Sequence, residues 1–230
     1  MATAKRSFSI NRLIGLFNDG LNKDESIALN LALQSLAKRL KYCEYHYQLY
    51  LENSTPSKLA RERSGIPYNN LIRVKYEANF LAFLNNLHCI VDAIPYVLNI
   101  VYQRSTEKDI NHKSVSWRDA HINLYRKEHI YPMLNLTKNC EAFIHLRELS
   151  NRSKHKHLTP ISNRLDSLII EGFSYLNEGR QEITVPPINV DEFMETCHNS
   201  LIPLVVSLFN EVMSIKEKST RTPIQSHHKL

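Results

Sequence analysis

The sequence predicts an all-α protein, an up-and-down bundle of about four long helices with a small β-hairpin inserted near residues 166–185. Glycine accounts for only five of the 230 residues, and none lies between Ile66 and Glu171. Tight hairpins and phosphate-binding loops need backbone angles that glycine adopts most easily, so this segment excludes a many-stranded sandwich and a glycine-rich nucleotide loop. Apolar residues instead recur in steps of three and four, which is the spacing of a buried helix face.

The N-terminal part begins with a polar, weakly patterned stretch. Residues 1–23 predict a loosely docked arm, and the first long helix is expected at about 24–52, with Asp24 capping its beginning. The apolar stripe of this helix consists of Leu29, Leu33, Leu36, Leu40, Cys43, Tyr47 and Tyr50. Asn53-Ser-Thr-Pro56 combines polar residues with proline and therefore ends the helix.

The second long helix is predicted over residues 67–104. Pro95 lies inside it and has no N–H to pair with the carbonyl of Val91, so we expect a kink there. This is the most apolar segment of the chain, but polar residues interrupt it at Asn85, Asn86, His88 and Asp92. A membrane span would have to hold those groups in hydrocarbon, so the sequence predicts no membrane partner.

The remaining elements follow from proline positions and periodicity. Residues 105–116 are expected to form a loop, and 117–127 a short helix. Pro132 opens a third long helix that continues over residues 133–157 and ends before Pro160. Further elements are predicted as strands at 166–171 and 181–185, which form the hairpin, and a final helix at 191–216 that Pro203 bends. A single bundle domain would thus span 24–217, followed by a disordered basic tail at 218–230.

Composition limits the function classes. The four cysteines are scattered, with no Cys-x-x-Cys pair, which favours reduced thiols in a cytoplasmic protein. No two of the 11 histidines are three or four residues apart, so no helical pair of metal ligands exists. We therefore expect no metal and no cofactor. The net charge of +6 is compatible with an anionic partner but does not by itself establish one.

The densest polar cluster lies near the end of the third long helix, in Leu146-Arg-Glu-Leu-Ser-Asn-Arg-Ser-Lys-His-Lys-His-Leu158. Helical geometry places four of these residues on one face: Arg147, Asn151, Lys154 and His155. Arg152 and His157 are five residues apart, and His157 continues the apolar stripe from Leu146. One interpretation is purely structural, because cations stabilise a helix C-terminus by interacting with its dipole.

A functional interpretation comes from resemblance. Arg152-Ser-Lys-His-Lys-His157, an arginine and a histidine with four residues between them near the end of a bundle helix, resembles the HEPN superfamily. The longer stretch, with Asn-x-x-Lys-His at its centre, resembles a helix of uncharacterised bacterial proteins related to HEPN domains. Residues 85–98, Asn-Asn-Leu-His-Cys-Ile-Val-Asp-Ala-Ile-Pro-Tyr-Val-Leu, resemble the helix that precedes it in such proteins. The resemblance covers about residues 70–160.

This resemblance implies an RNA-directed module, and in its active form a metal-independent endoribonuclease of a bacterial defence or toxin system. Arg152 would hold the phosphate and His157 would act as base or acid, in a site that the family usually builds across a homodimer. Supporting residues would be Arg147, Asn151, Lys154, His155, Asn85, His88 and Asp92. The chain departs from the family at Ser153, where active members commonly have Asn, Asp or His. A separate protein partner is also compatible with such a module.

A second polar cluster consists of Asn85, His88 and Asp92, which share one stripe of the kinked helix. Two accounts of the cluster are compatible with each other: a buried hydrogen-bond network that fixes the register of two helices, and an acidic partner for Arg147, Arg152 or His155. If the cluster is only a buried hydrogen-bond network, an alternative function follows: the protein is a non-catalytic helical interaction or scaffold protein whose polar residues are structural.

Overall fold

The computed structural model describes residues 8–64, 70–102, 115–155 and 158–221. It confirms a mostly α-helical chain with a few short antiparallel strands. The simpler arrangement of four long helices running up and down stays a prediction.

The described residues of the predicted N-terminal arm, from residue 8 onward, include a helix. Helix α1 (Ile10–Phe17) begins at Ser9, whose hydroxyl accepts a hydrogen bond from the backbone N–H of Arg12. Leu13 is fully buried, and the Arg12 guanidinium contacts the carboxylate of Glu217 at 2.6 Å. The part of residues 1–23 that the structure describes therefore packs on the body of the protein, because its few apolar side chains lie on one face of a short helix.

Helices α2 (Lys23–Asn53) and α4 (Asn70–Tyr102) form the long central pair, with the short helix α3 (Pro56–Arg63) between them in the chain. The start of α2 is fixed by a capping box of Asn22 and Glu25, not by Asp24. Pro95 lies inside α4 as expected, and the indole N–H of Trp117 donates to the carbonyl of Val91.

The predicted helix at 133–157 is two helices. Helix α5 (Asp119–Ile122) is followed by α6 (Tyr131–Asn139) and α7 (Glu141–His155). Cys140 separates α6 from α7 with an extended backbone, φ −69° and ψ 130°. Its N–H still bonds to the carbonyl of Thr137 and its carbonyl accepts from Ile144, so the break leaves both backbone groups satisfied.

Five short strands form two small antiparallel sheets: β1 (Ile161–Asn163), β2 (Leu168–Ile170), β3 (Phe173–Leu176), β4 (Glu182–Val185) and β5 (Ile188–Asn189). β2 lies between β1 and β5, and β3 pairs with β4 as a hairpin. The predicted pairing of 166–171 with 181–185 is therefore wrong. The chain changes sheets at Gly172, where a Cβ atom would lie 2.9 Å from the Val185 carbonyl oxygen.

The predicted final helix is interrupted. Helix α8 (Val190–Thr196) continues through a wide π-helical turn at Cys197–Leu201 into α9 (Ile202–Arg221). The interruption immediately precedes Pro203, which has no N–H for the ordinary helical bond. Helix α9 extends past 217 into the predicted tail, of which residues 222–230 lie outside the described part.

The core contains large side chains from the long helices, among them Leu33, Phe83, Leu87, Ile94, Leu146, Val205 and Phe209. The segment Leu71–Tyr102 is long and apolar enough to cross a membrane by length and composition. However, 56% of its most apolar window is buried inside the protein, as in a core helix.

Candidate functional site

Helices α4 and α7 pack together and bring the two predicted polar clusters into contact. The Ser150 hydroxyl donates to Asn85 Oδ1 at 3.4 Å, and Lys154 Nζ lies 3.0 Å from His88 Nδ1. We call these residues, together with Asp92, the α4–α7 cluster. The predicted hydrogen-bond network between two helices is present here, and Lys154 is the cation that reaches α4.

His88 is the buried centre of the α4–α7 cluster, with 4% of its surface exposed. Its Nδ1 also lies 3.1 Å from Asp92 Oδ2. One ring nitrogen cannot donate to a carboxylate and accept from an ammonium at once, so the two contacts belong to different tautomers. Among the described residues, nothing accepts from or donates to the buried Nε2 atom.

The charge environment keeps this imidazole neutral. The pKa of His88 is lowered from 6.5 to about 4, mainly by burial and in the same direction by the positive charges of Lys154 and Arg147. Burial raises the pKa of Asp92, against the opposing effect of Lys154 and Arg147. The side chain of Asp92 remains 53% exposed, so its carboxylate forms the solvent edge of the cluster.

The opposite side of α7 faces the β3–β4 hairpin across an open cavity of about 460 Å³, which we call the hairpin groove. Helix α7 lines it with Glu148, Asn151, Arg152 and His155. The hairpin lines it with Ser174, Tyr175 and Leu176. Asn151 and His155 are exposed, so the groove has polar side chains at its rim.

Arg152 is fixed in the hairpin groove by β3. Its Nη1 donates to the Ser174 carbonyl at 3.3 Å, and its guanidinium carbon lies 5.1 Å from the centre of the Phe173 ring. Its Nε is buried and meets no acceptor in the described part of the chain. Buried donors are nearly always paired, so this Nε has a hydrogen-bonding capacity that the described residues do not use.

Glu148, which lines the hairpin groove, pairs with Arg147. Arg147 Nε donates to Glu148 Oε1 at 3.1 Å, and this contact offsets the negative charge of Glu148. Arg147 also lines a neighbouring cavity of about 360 Å³, and Tyr175 borders both cavities.

The structure divides the predicted site residues between these two places. Lys154 joins Asn85, His88 and Asp92, whereas Asn151, Arg152 and His155 line the hairpin groove. Arg147 pairs with Glu148, and not with the predicted acidic partner Asp92. His157 lies outside the described residues, so its position relative to Arg152 stays a prediction.

Sequence reasoning missed the hairpin side of the groove and the two α7 residues Glu148 and Ser150. Ser174 and Tyr175 belong to a strand that the sequence did not predict. No local signal relates them to α7, because their contact depends on how the hairpin folds back.

The described residues contain no group of three histidine, cysteine or acidic side chains arranged to hold a metal ion. Comparison with protein-family models, curated proteins and solved structures gives no match.

Proposed function

We propose that this protein is an RNA-directed helical module and that its hairpin groove binds the phosphodiester backbone. The observation that carries the proposal is the guanidinium of Arg152, which borders an open cavity while its buried Nε lacks an acceptor. Phosphate oxygens are among the acceptors that arginine binds strongly, through short charge-assisted hydrogen bonds.

The rest of the groove supports this assignment. Phe173 and the Ser174 carbonyl hold the guanidinium in place, so little side-chain entropy is lost when an anion binds. Asn151 and His155 add exposed hydrogen-bonding groups to the same wall. The pairing of Glu148 with Arg147 limits its repulsion of a phosphate.

The catalytic form of the proposal adds cleavage. In it, Arg152 stabilises the charge that develops on the phosphate, and His157 moves the proton of the 2′-hydroxyl, in a HEPN-like homodimer of a bacterial defence system. His88 is unsuited to that proton transfer because its imidazole is buried between α4 and α7. Lys154 and Asp92 would act by positioning α7 against α4.

Binding is tested by fluorescence anisotropy with single-stranded RNA. We expect Arg152→Ala to weaken binding about tenfold, the loss that follows from removing one charge-assisted contact of about 1.4 kcal/mol. The matched control is Arg63→Ala, an exposed arginine at the end of α3 that does not line the groove. If both variants lose the same affinity for RNA, the effect is due to net charge and not to the groove. If the unaltered protein does not bind RNA, the proposal is overturned.

Cleavage is tested by incubating the protein with total RNA in EDTA, beside the Arg152→Ala/His157→Ala variant. Cleavage by the unaltered protein alone supports the catalytic form. Equal cleavage by both preparations, or none by either, rules out the catalytic form. The binding function is then judged from the anisotropy result alone.

A non-catalytic scaffold is the second candidate, and the α4–α7 cluster favours it. Contacts of Asn85 with Ser150 and of His88 with Lys154 join two helices and explain these polar residues without a ligand. In this case, Asn85→Ala lowers the melting temperature, whereas Arg152→Ala leaves RNA binding unchanged.

A further inference from the structure

The π-helical turn between α8 and α9 presents a histidine at a separate cavity that shares no lining residue with the hairpin groove. His198 lies in that turn and is 6% exposed. Its ring stacks on Tyr47, with 4.1 Å between centroids and 14° between planes. Isolated π-helical turns are rare and frequently mark functional sites, because they displace a side chain from its ordinary helical position.

His198 borders a cavity of about 380 Å³ between α2, α9 and the segment before α1. The apolar walls are formed by Phe8, Ala37, Leu40 and Ile202. Phe8 is held in place by stacking on Phe209 at 4.7 Å. A largely apolar cavity of this size, with a few polar groups at one end, has the character of a small-molecule site.

Three polar side chains complete the lining: Lys41, Glu44 and His198. Both carboxylate oxygens of Glu44 are occupied, one by His198 Nε2 at 2.7 Å and the other by Gln48 Nε2 at 3.0 Å. Across the described residues, no acidic side chain lies within 4.0 Å of the Lys41 ammonium. The polar end therefore offers the Lys41 ammonium, which forms no ion pair with a described residue, beside a carboxylate whose two oxygens each already have one hydrogen-bond partner.

We propose that this cavity binds an aliphatic carboxylate, with the hydrocarbon chain between Phe8, Leu40 and Ile202 and the carboxylate at Lys41. Contact with the apolar walls removes the hydrocarbon chain of the ligand from water, which favours binding, and the Lys41 ammonium supplies the charge opposite to the carboxylate. A cationic amphiphile would meet Lys41 as a like charge. A neutral alcohol would bury the same chain without the ion pair. This site does not depend on RNA binding.

Equilibrium dialysis of the full chain with octanoate, octylamine and octanol tests the proposal. We expect octanoate to bind more tightly than either of the other two probes. Lys41→Gln should weaken octanoate binding about five- to tenfold, whereas Lys38→Gln should change it less than twofold. Lys38 is a matched control because it is an exposed lysine of the same helix outside the cavity lining.

A cavity-filling variant separates binding inside the cavity from binding at the surface. Ala37→Leu should reduce octanoate binding more than tenfold while circular dichroism confirms that the variant folds. Lys41→Gln, an exposed helical position, supplies the test if Ala37→Leu does not fold. The proposal is overturned if octanoate does not bind, if octylamine binds better, or if Lys41→Gln and Lys38→Gln bind equally well.

Discussion

The indole N–H of Trp117 donates a 2.8 Å hydrogen bond to the backbone carbonyl of Val91. That carbonyl is the one that Pro95 cannot pair with, because proline has no N–H. Trp117 is 4% exposed and also packs edge-on against Phe143, with 5.0 Å between ring centroids. The segment that follows α4 thus satisfies the defect that proline introduces and joins α4 to α7.

This relationship predicts a coupling between Trp117 and Pro95. Trp117→Phe leaves a buried carbonyl unpaired and should lower the free energy of unfolding by about 1–3 kcal/mol, in addition to the loss of packing. In a Pro95→Ala background the alanine N–H can reach Val91, so the same substitution should cost less. Urea unfolding followed by circular dichroism measures the double-mutant cycle, and an equal cost in both backgrounds would contradict the coupling.

The helices whose apolar stripes are continuous were predictable. The expected helix at 24–52 corresponds to α2, and the expected helix at 67–104 to α4 where the structure describes it, because burial of a long stripe dominates local preference. The break at Cys140 and the chain's change of sheet at Gly172 carry no such signal. Each depends on contacts between segments distant in sequence, which periodicity does not encode.

Most of the helical residues of the candidate site were predictable, but their pairing and the hairpin side of the groove were not. The sequence singled out His88, Lys154 and Arg152 as polar groups on two helices. The partners of these residues depend on how α7 is oriented about its own axis between α4 and the hairpin. This orientation directs Lys154 towards His88 on α4 and Arg152 towards Ser174 on the hairpin. A one-dimensional pattern gives the face of a helix but not the neighbour that covers it.

The depressed pKa of His88 predicts that stability falls as the solution becomes acidic. The unfolded imidazole gains a proton near pH 6.5, whereas the folded one resists until about pH 4. The unfolded state therefore binds more protons between these values, and the free energy of unfolding should fall by about 2 kcal/mol from pH 7 to pH 5. Lys154 and Arg147 oppose protonation, and Asp92 faces the same ring.

Two variants separate this contribution from those of other groups. His88→Gln should remove most of the pH dependence between these values, as measured by urea unfolding at each pH. His145→Gln is the comparison variant: burial also lowers the pKa of His145, while Glu141 opposes that shift, so this substitution should remove a smaller part of the pH dependence than His88→Gln does. If His88→Gln keeps the full acid sensitivity, the buried neutral imidazole is not its source.

Two glycines should respond to alanine in opposite directions. A Cβ atom at Gly172 would lie 2.9 Å from the Val185 carbonyl oxygen, so Gly172→Ala should destabilise the protein by about 1–3 kcal/mol. Gly15 lies inside α1 with nothing within 4 Å of its added Cβ, so Gly15→Ala should stabilise it by about 0.5–1 kcal/mol. Thermal unfolding of both variants measures the signs, and a neutral Gly172→Ala would mean that the hairpin shifts to accept the methyl group.

The geometry of Arg152 predicts that lysine cannot replace it in RNA binding. Arg152→Lys keeps the positive charge but loses both the planar fork and the stacking on Phe173. We expect its affinity for single-stranded RNA to fall about fivefold while the salt dependence of binding stays unchanged. Arg152→Ala should lose more affinity and also reduce the slope of log K against log salt by about 0.7, the value for one phosphate contact on a single strand.

Anisotropy titrations over a range of salt concentrations distinguish these effects, with Arg63→Ala as the control whose slope should not change. If Arg152→Lys binds as tightly as the unaltered protein, the groove recognises charge alone, and the arrangement of Phe173 and Ser174 around the guanidinium serves stability. If Arg152→Ala leaves the slope unchanged, Arg152 does not contact a phosphate. Arg152→Lys should therefore bind RNA more weakly while the slope of log K against log salt stays the same. That result would show that the guanidinium, fixed in position by β3, binds phosphate through directed hydrogen bonds and not through charge alone.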